Sequence, residues 1–578
     1  MSDILSTIST RARKGAATPQ SQPRTRDQVP NAAGGFAYKA GDEMRLHRFL
    51  TLGTDGGTYY TSAKDITGDN AAVLFRMVTD KGLYTVAQIV EISKAGRAPK
   101  NKQALFALAV AASKGDDATR AAALAALPEV ARTGTHLFEF LNYTAQFRGW
   151  GKGLQKAALR WYTSKTPDRL AYQLLKYRQR DGVTHADVLR QAHAHVPDVS
   201  TEHAALFNWV SARSQVKNEK SPRFGKDANV DRDGKVLDAT LPALVGAFEE
   251  LQAKPGLAVV EALIREHSGI SWEMIPDEYI NEPRVWEALI AQGVPQGALL
   301  RQLTRLTRIG LDHGSIGRTI ATQLQDPERL KKARVHPINV LVALRTYTSG
   351  RNDHGTSWTP STVFSDALDA AFYNAFGAVE PAGKRTLLAL DVSGSMGSSA
   401  AGLPISCREA TGALAMVIAA TEPHTEVVGF TSGSGAYTFP GARHQRNSFG
   451  YGNGGFGGIS KLDISPRRRL DDNIRAISNL PFGGTDCALP MVWAKNAKEQ
   501  FDSFMVFTDG ETWAGNIHVD EALEQYRQSS GIDARLEIVA MTANGTSLCN
   551  PEDPGMLDVS GFDSSVPQLL NDHSGGRL

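Results

Sequence analysis

A chain of 578 residues exceeds what a single hydrophobic core fills, so several cores or a stacked helical array are expected. Its 42% hydrophobic and 21% charged residues are ordinary for a globular protein, and a net charge of +2 does not bear on nucleic acid, because cations can gather on one face while acids balance them elsewhere. Three scattered cysteines, Cys407, Cys487 and Cys549, exclude a disulfide framework and a cysteine-based zinc site. No run of about 18 apolar residues offers a membrane span. A reducing, cytoplasmic setting without a membrane partner is the simplest expectation.

The first 27 residues carry Arg11, Arg13, Lys14, Arg24 and Arg26 but no apolar signal-peptide core. A disordered basic tail over 1–27 is expected, with a transit peptide as the alternative for so Ser-rich and acid-poor a stretch. From about Ala63 to Val379 one helix follows another, among them Lys102 to Ser113, Thr119 to Arg132, Leu154 to Ser164, Asp168 to Arg180, Leu257 to His267 and Gln296 to Ile309. Apolar residues recur at three- and four-residue spacing, as in Leu170, Leu174, Leu175 and Tyr177. Thr184, three residues before Asp187, reads as an N-cap, and Pro337 opens another helix. Helices without interleaved strands imply a large bundle or an α-solenoid, and no sharp repeat period separates the two.

After Pro381 the rhythm changes. Thr386 to Asp391, Glu426 to Thr431, Ser503 to Asp509 and Arg535 to Thr542 read as buried strands. Helices from about Ser406 to Ala420, Arg469 to Leu480, Ala488 to Gln500 and Asp520 to Ser530 alternate with them. That alternation argues a parallel, doubly wound α/β sheet over 380–578. A glycine-rich insertion at 432–462 reads as a surface loop.

The most specific local signal is Asp391-Val392-Ser393-Gly394-Ser395, set where an apolar strand ends. Loops at the carboxyl edge of a parallel sheet converge on one crevice, and two more candidates arrive there: Gly483-Gly484-Thr485 and Thr508-Asp509-Gly510. A lone DxSxS is as readily a polar turn capping a helix. Asp391, Ser393, Ser395, Thr485 and Asp509 together supply two carboxylates and three hydroxyls, hard oxygen donors suited to Mg²⁺ or another divalent cation. Asp486 beside them is equally explained as a helix cap. No nucleophile–base–orienter arrangement adjoins the set, so no catalytic residue is assigned and an enzyme is not expected.

This constellation resembles the metal-ion-dependent adhesion site of the von Willebrand factor A fold, with those five residues as ligands, some through water. The resemblance implies an open coordination position that an acidic partner fills. The helical half is similar to the TROVE module shared by Ro, telomerase-associated and vault proteins. The runs that carry the likeness are Gln28 to Gly35, Arg45 to Leu50, Gly57 to Tyr60, Pro128 to Arg132, Thr135 to Phe138, Lys176 to Arg180 and Leu330 to Pro337. A TROVE module over 28–379 followed by a von Willebrand factor A domain resembles the Ro family, to which the basic tail and the glycine-rich insertion are additions.

The resemblance implies a multidomain chain: an all-α ring of HEAT-like helical repeats closed by the α/β domain. It implies a monomeric ribonucleoprotein scaffold in RNA quality control, maturation or degradation. Small noncoding Y RNAs would bind outside, and single-stranded 3′ ends of misfolded RNAs would enter a central hole. If the source is bacterial, polynucleotide phosphorylase is an implied partner. RNA-binding candidates are Lys176, Arg178, Arg180, His185, Arg190 and His193, with Arg48 and His136 beyond that helix pair. Arg45, Arg301, Arg305, Arg308, Lys331, Lys332 and Arg334 are further cationic candidates. Lys and Arg ordinarily coat a solvated helix face, so the reading rests on the cluster rather than on one member. His136, His193 and His336 have a second reading as core or capping histidines. The residues leave two other functions open: a protein-adhesion module presented on a helical scaffold, and, more remotely, a metal-dependent hydrolase.

Overall fold

The structure is a computed structural model that describes residues 17–52, 63–193, 200–215, 240–351, 355–377, 379–400, 404–432, 458–462, 464–478, 484–542 and 544–577. Gly57 to Tyr60, Gly483 and most of the glycine-rich insertion lie outside these residues. The chain divides into two compact units. One holds Asp69–Gly377 with Phe49–Gly53, and the other holds the residues up to Arg48, Thr54–Gly68 and Ala378 onward.

The helical unit is built by neighbours in sequence packing on neighbours in space. The helix Lys102–Lys114 packs on Gly82–Ala95, Asp117–Val130 and Gly134–Phe147, and it is buried on nearly every face from Ala104 to Ser113. Alanines at 104, 107, 109, 111 and 112 let the surrounding helices approach closely while Leu105, Leu108 and Val110 fill the space between them. Starts are fixed by side-chain caps: Asp116 accepts from the Thr119 amide at 2.7 Å, and Thr184 and Asp187 form the reciprocal capping box that the sequence announces. Pro337 does open a helix, Pro337–Thr348, with His336 as its cap. Late residues of the unit return to early ones. His336 Nε2 lies 3.2 Å from the Arg97 carbonyl, and Asn339 Nδ2 donates to the Pro99 carbonyl at 3.2 Å, across about 240 residues of chain.

In the other unit, the strands are β1 (Gln28–Pro30), β2 (Phe36–Lys39), β3 (Arg385–Asp391), β4 (His424–Phe430), β5 (Ile459–Lys461), β6 (Ser503–Thr508), β7 (Arg535–Ala540), β8 (Thr546–Ser547) and β9 (Met556–Ser560). Six of them form one sheet in the order β9-β7-β6-β3-β4-β5, parallel except for β5 at the edge. Continuous apolar runs such as Leu387-Leu388-Ala389-Leu390 suit a sheet covered on both faces. On one face the helices Leu489–Ala497 and Val519–Ser530 pack through Met491, Leu523 and Tyr526 against Leu387, Val506 and Ile538. The long helix Cys407–Thr421, buried from Cys407 to Ile418, packs against β3, β4 and β6. Strand order reverses about β3, so the crevice opens at its carboxyl end.

Residues 17–27 depart from the expected disordered tail. Gln20 is wholly buried, Arg24 pairs with Asp520 at 2.5 Å and Glu524 at 3.0 Å, and the Thr18 amide donates to Glu521 at 3.2 Å. Composition misleads here because the stretch borrows its core from residues about 500 positions later. Residues 28–48 likewise belong with the sheet unit rather than with the helices: β2 pairs with β1 on one side and β8 on the other in a small antiparallel sheet.

Candidate functional site

The turn after β3 is pinned from two sides. Asp391 Oδ1 accepts from the Ser393 amide at 2.8 Å, and Arg408 donates to the carbonyls of Val392 and Ser393 at 3.0 and 2.9 Å. The Ser393 and Ser395 hydroxyls lie 3.0 Å apart, and Thr508 at the end of β6 donates its hydroxyl to Asp391 Oδ2 at 2.8 Å. The next residue is Asp509, whose Oδ1 accepts from the Glu511 amide at 3.1 Å. Asp391, Ser393, Ser395, Thr485 and Asp509 are all buried, none more than 1% exposed.

Burial, and for Asp391 the neighbouring Asp509 as well, pushes both carboxyls above the ordinary carboxylate range; hydrogen bonds from Ser393, Ser395, Thr508 and the Glu511 amide only partly oppose this. Two atoms, Thr485 Oγ1 and Asp509 Oδ2, are buried without a hydrogen-bond partner among the described residues. Two desolvated carboxyls beside the unpartnered Thr485 hydroxyl are what a small divalent cation would complete. Among the described residues no group of three or more His, Cys, Asp and Glu could hold a metal, so a cation here would rest on carboxylate and hydroxyl oxygens together. The residues fit the ion.

A layer behind these residues has no local motif. Gln20 donates from Nε2 to Asp486 Oδ1 at 2.8 Å and to the Ile517 carbonyl at 2.9 Å, and accepts from the Thr512 hydroxyl at 2.5 Å. It thereby joins the Thr485 loop to the loop after Asp509. Asp486 also accepts from the Ala488 amide at 3.1 Å, just before the helix Leu489–Ala497, whose N-cap is Ala488. Asn544 donates to the Asp509 carbonyl at 3.3 Å and to Glu511 at 3.2 Å. Burial and Asp509 push the Glu511 carboxyl up to about 7.

Arg48 belongs to this layer and is not the RNA contact expected of it. Its side chain is 1% exposed, ion-paired to Asp558 at 2.8 Å and donating to the carbonyls of Asn544 and Thr546 at 2.7 Å each. Arg45 is buried too.

In the helical unit the structure sorts the candidate cations. His185 is a core residue: 2% exposed, packed 4.6 Å from Phe138 and stacked on Trp161, with Nδ1 2.9 Å from the Tyr162 hydroxyl. Burial drives its pKa down to about 3, so it stays neutral and out of reach of RNA. Lys176 is also spent internally, lying 2.9 Å from the Tyr172 hydroxyl and 3.5 Å from Glu273. Arg178, Arg180, Arg190 and His193 are exposed on the short hairpin and helix that follow. Arg180 and Arg190 make loose surface pairs with Glu139, Asp181 and Asp187. Arg305 is half-buried, its guanidinium over Trp272 and bonded to the Ile280 carbonyl, while Arg301 and Arg308 are exposed. His136 is half-buried, and burial with the charge of Arg132 lowers its pKa to about 4. His336 is the buried cap already described.

Comparison with known proteins places both halves. The model of the TROVE domain matches residues 29–347, and that of the Ro60 vWA domain matches residues 385–574. The chain is 34% identical over 619 residues to the RNA-binding protein RO60 of Caenorhabditis elegans, covering 97% of this chain and 92% of that protein. It is also 34% identical over 567 residues to the RNA-binding protein RO60 of Deinococcus radiodurans, covering 97% and 98%. The crystal structure of the Deinococcus radiodurans RO (RSR) protein superposes with a TM-score of 0.64 at 32% identity, covering 93% of this chain and all of that one.

Proposed function

Because the chain belongs to the Ro60 family, a TROVE domain followed by a Ro60 vWA domain, we propose that it is an RNA-binding protein whose helical unit carries the RNA. The observation that carries this reading is near-full-length similarity to two relatives, one of them bacterial, that are named for binding RNA.

In the finer reading, a structured noncoding RNA of the Y class lies on the outer surface of the helices and single-stranded ends of misfolded or immature RNAs enter an opening in a ring of HEAT-like repeats. A duplex RNA shows little of its base edges to side chains, so exposed arginines such as Arg178, Arg180 and Arg190 would meet phosphates and shape rather than sequence. A single strand threading a cationic passage would be held the same way. In this reading the protein is a cytoplasmic, monomeric scaffold for RNA quality control that, if its source is bacterial, delivers RNA to an exoribonuclease such as polynucleotide phosphorylase. We assign the chain no turnover.

The crevice of the sheet unit has a separate role in this proposal. Asp391, Ser393, Ser395, Thr485 and Asp509 would hold Mg²⁺ or a similar cation, which supplies positive charge and an open coordination position for an acidic group on a protein partner. The burial of both carboxyls and the two unsatisfied oxygens support it.

The proposal is tested by purifying the protein from its native source and sequencing whatever RNA accompanies it. A discrete small structured RNA is the expected result. Capture of a protein in Mg²⁺, lost in Asp391→Ala, with no RNA in the preparation, would instead make adhesion the primary function.

A further inference from the structure

Two sequence runs that resemble the family, Pro128 to Arg132 and Leu330 to Pro337, meet at the place where the helical unit returns on itself. The helix Gly82–Ala95 ends there in a left-handed cap at Gly96, with φ +71°. A Cβ at 96 would stand 3.2 Å from the Arg334 Cβ, so the two backbones pass closely, and Arg334 itself adopts a left-handed φ of 50° that a non-glycine residue rarely takes. Arg132 reaches the same spot from the other side, donating from Nη1 to the Ser93 carbonyl at 2.9 Å and its hydroxyl at 2.8 Å. Asn101 holds that corner by donating to the Val130 carbonyl at 2.9 Å and accepting from Ser93 at 2.7 Å.

The charges there are unbalanced. Among the described residues no acid forms an ion pair with Arg132 or Arg334; Glu129, three residues before Arg132, is turned to Lys94 at 2.7 Å. Burial and the charge of Arg334 lower the Arg132 pKa to about 10. His136 stands in the first turn of the helix Gly134–Phe147, whose amide end carries partial positive charge. Its Nδ1 is buried without a hydrogen-bond partner among the described residues. Capping of Ser93 accounts for one edge of the Arg132 guanidinium and for nothing at Arg334 or His136.

We propose that Arg132 and Arg334, with His136 near Arg132, form an oxyanion site that takes one phosphate group of a bound RNA strand. The inference rests on the RNA-binding reading and deepens it by naming a contact at the seam of the helical unit, away from the exposed arginines at 178–190. A phosphate there supplies the missing negative charge and receives the guanidinium edges of the two arginines, and its charge favours protonation of the nearby His136 ring. Arg334 is exposed, so replacing it leaves the packing intact.

The test uses the full chain and two probes. In fluorescence anisotropy with a labelled single-stranded RNA, Arg334→Gln should weaken binding about five- to tenfold and reduce the slope of log affinity against log salt by about 0.7, one phosphate for a single strand. Inorganic phosphate should raise the pKa of the His136 ring, followed by nuclear magnetic resonance, in the wild type and not in Arg334→Gln. RNA affinity and salt slope unchanged in Arg334→Gln overturn the proposal. If phosphate nevertheless moves His136, the site belongs to free phosphate. If the wild type binds no RNA, the RNA-binding reading itself falls, and a motionless His136 in phosphate would remove the anion site as well.

Discussion

The crevice of the sheet unit and the cation-rich surface of the helical unit differ in how their residues are brought together. Five crevice residues come from two strand-end loops and the loop that opens the helix Leu489–Ala497; the topology of a parallel sheet brings the strand-end loops together, so a short motif and two loop signals locate them. The helical surface has no such convergence point. A lysine or histidine on a helix faces the core, a neighbouring helix or water according to packing that is set elsewhere. His185 and Arg190 are five residues apart on one helix, yet one is sealed among Phe138, Trp161 and Tyr162 and the other is exposed. Cations on helices are recognised as ligand contacts only after the packing is known, whereas oxygens at a sheet's carboxyl edge are recognisable beforehand.

The sharpest separation between structural and RNA-facing arginines should appear in stability. Arg48→Ala removes one partner of a buried ion pair and frees the carbonyls it holds, and should cost the sheet unit about 3–5 kcal/mol in chemical denaturation. Arg178→Ala, on the exposed surface, should stay within about 0.5 kcal/mol. Equal losses would erase the distinction drawn between them.

The metal gives a second contrast. The two buried carboxyls have folded pKa values above their unfolded ones, so the metal-free protein loses stability as pH rises through and beyond the ordinary carboxylate range. A divalent cation needs both ionised, so its affinity should increase with pH and fall on acidification. At a hundredfold excess over Kd, Mg²⁺ should stabilise the sheet unit by about 2.7 kcal/mol. Asp391→Asn should abolish that gain without destabilising the metal-free protein, as read by calorimetry with and without Mg²⁺. Equal Mg²⁺ stabilisation in Asp391→Asn would refute the ligand assignment.

The helical unit should show the opposite pH response. His185 has its pKa depressed to about 3, so its contribution is complete above the unfolded value near 6.5 and is lost as pH falls toward 3, at about 1.4 kcal/mol per pH unit. His185→Gln should flatten the acid limb of helical-unit stability, followed by circular dichroism. An unchanged limb would mean that the imidazole is not the buried, neutral group described.

The smallest effect distinguishes members of one expected cluster. Lys176→Gln, whose ammonium is engaged by Tyr172 and Glu273, should change RNA affinity less than Arg180→Gln in a gel-shift titration. The reverse order would restore Lys176 as an RNA contact.

Much of the fold was legible because it is local. The strand-end Asp391, the Thr184–Asp187 capping box and the opening proline at 337 are written in stretches of a few residues. What was not legible depends on partners hundreds of residues away. Gln20 reads as tail composition, and nothing near it says that Asp486 and Thr512 will enclose it. Arg48 reads as a basic residue in a recognisable run, and Asn544 and Asp558 decide its role. Arg334 reads as one basic residue among several, and Gly96, more than 200 residues earlier in the chain, decides its setting.

The most direct test of the central claim is the salt dependence of binding to a small structured RNA by the wild type and by a variant carrying Arg178→Gln, Arg180→Gln and Arg190→Gln. The account predicts a log affinity that falls linearly with log salt in the wild type, with weaker binding and a shallower slope in the variant. Affinity indifferent to salt, or identical lines for the two proteins, would contradict it.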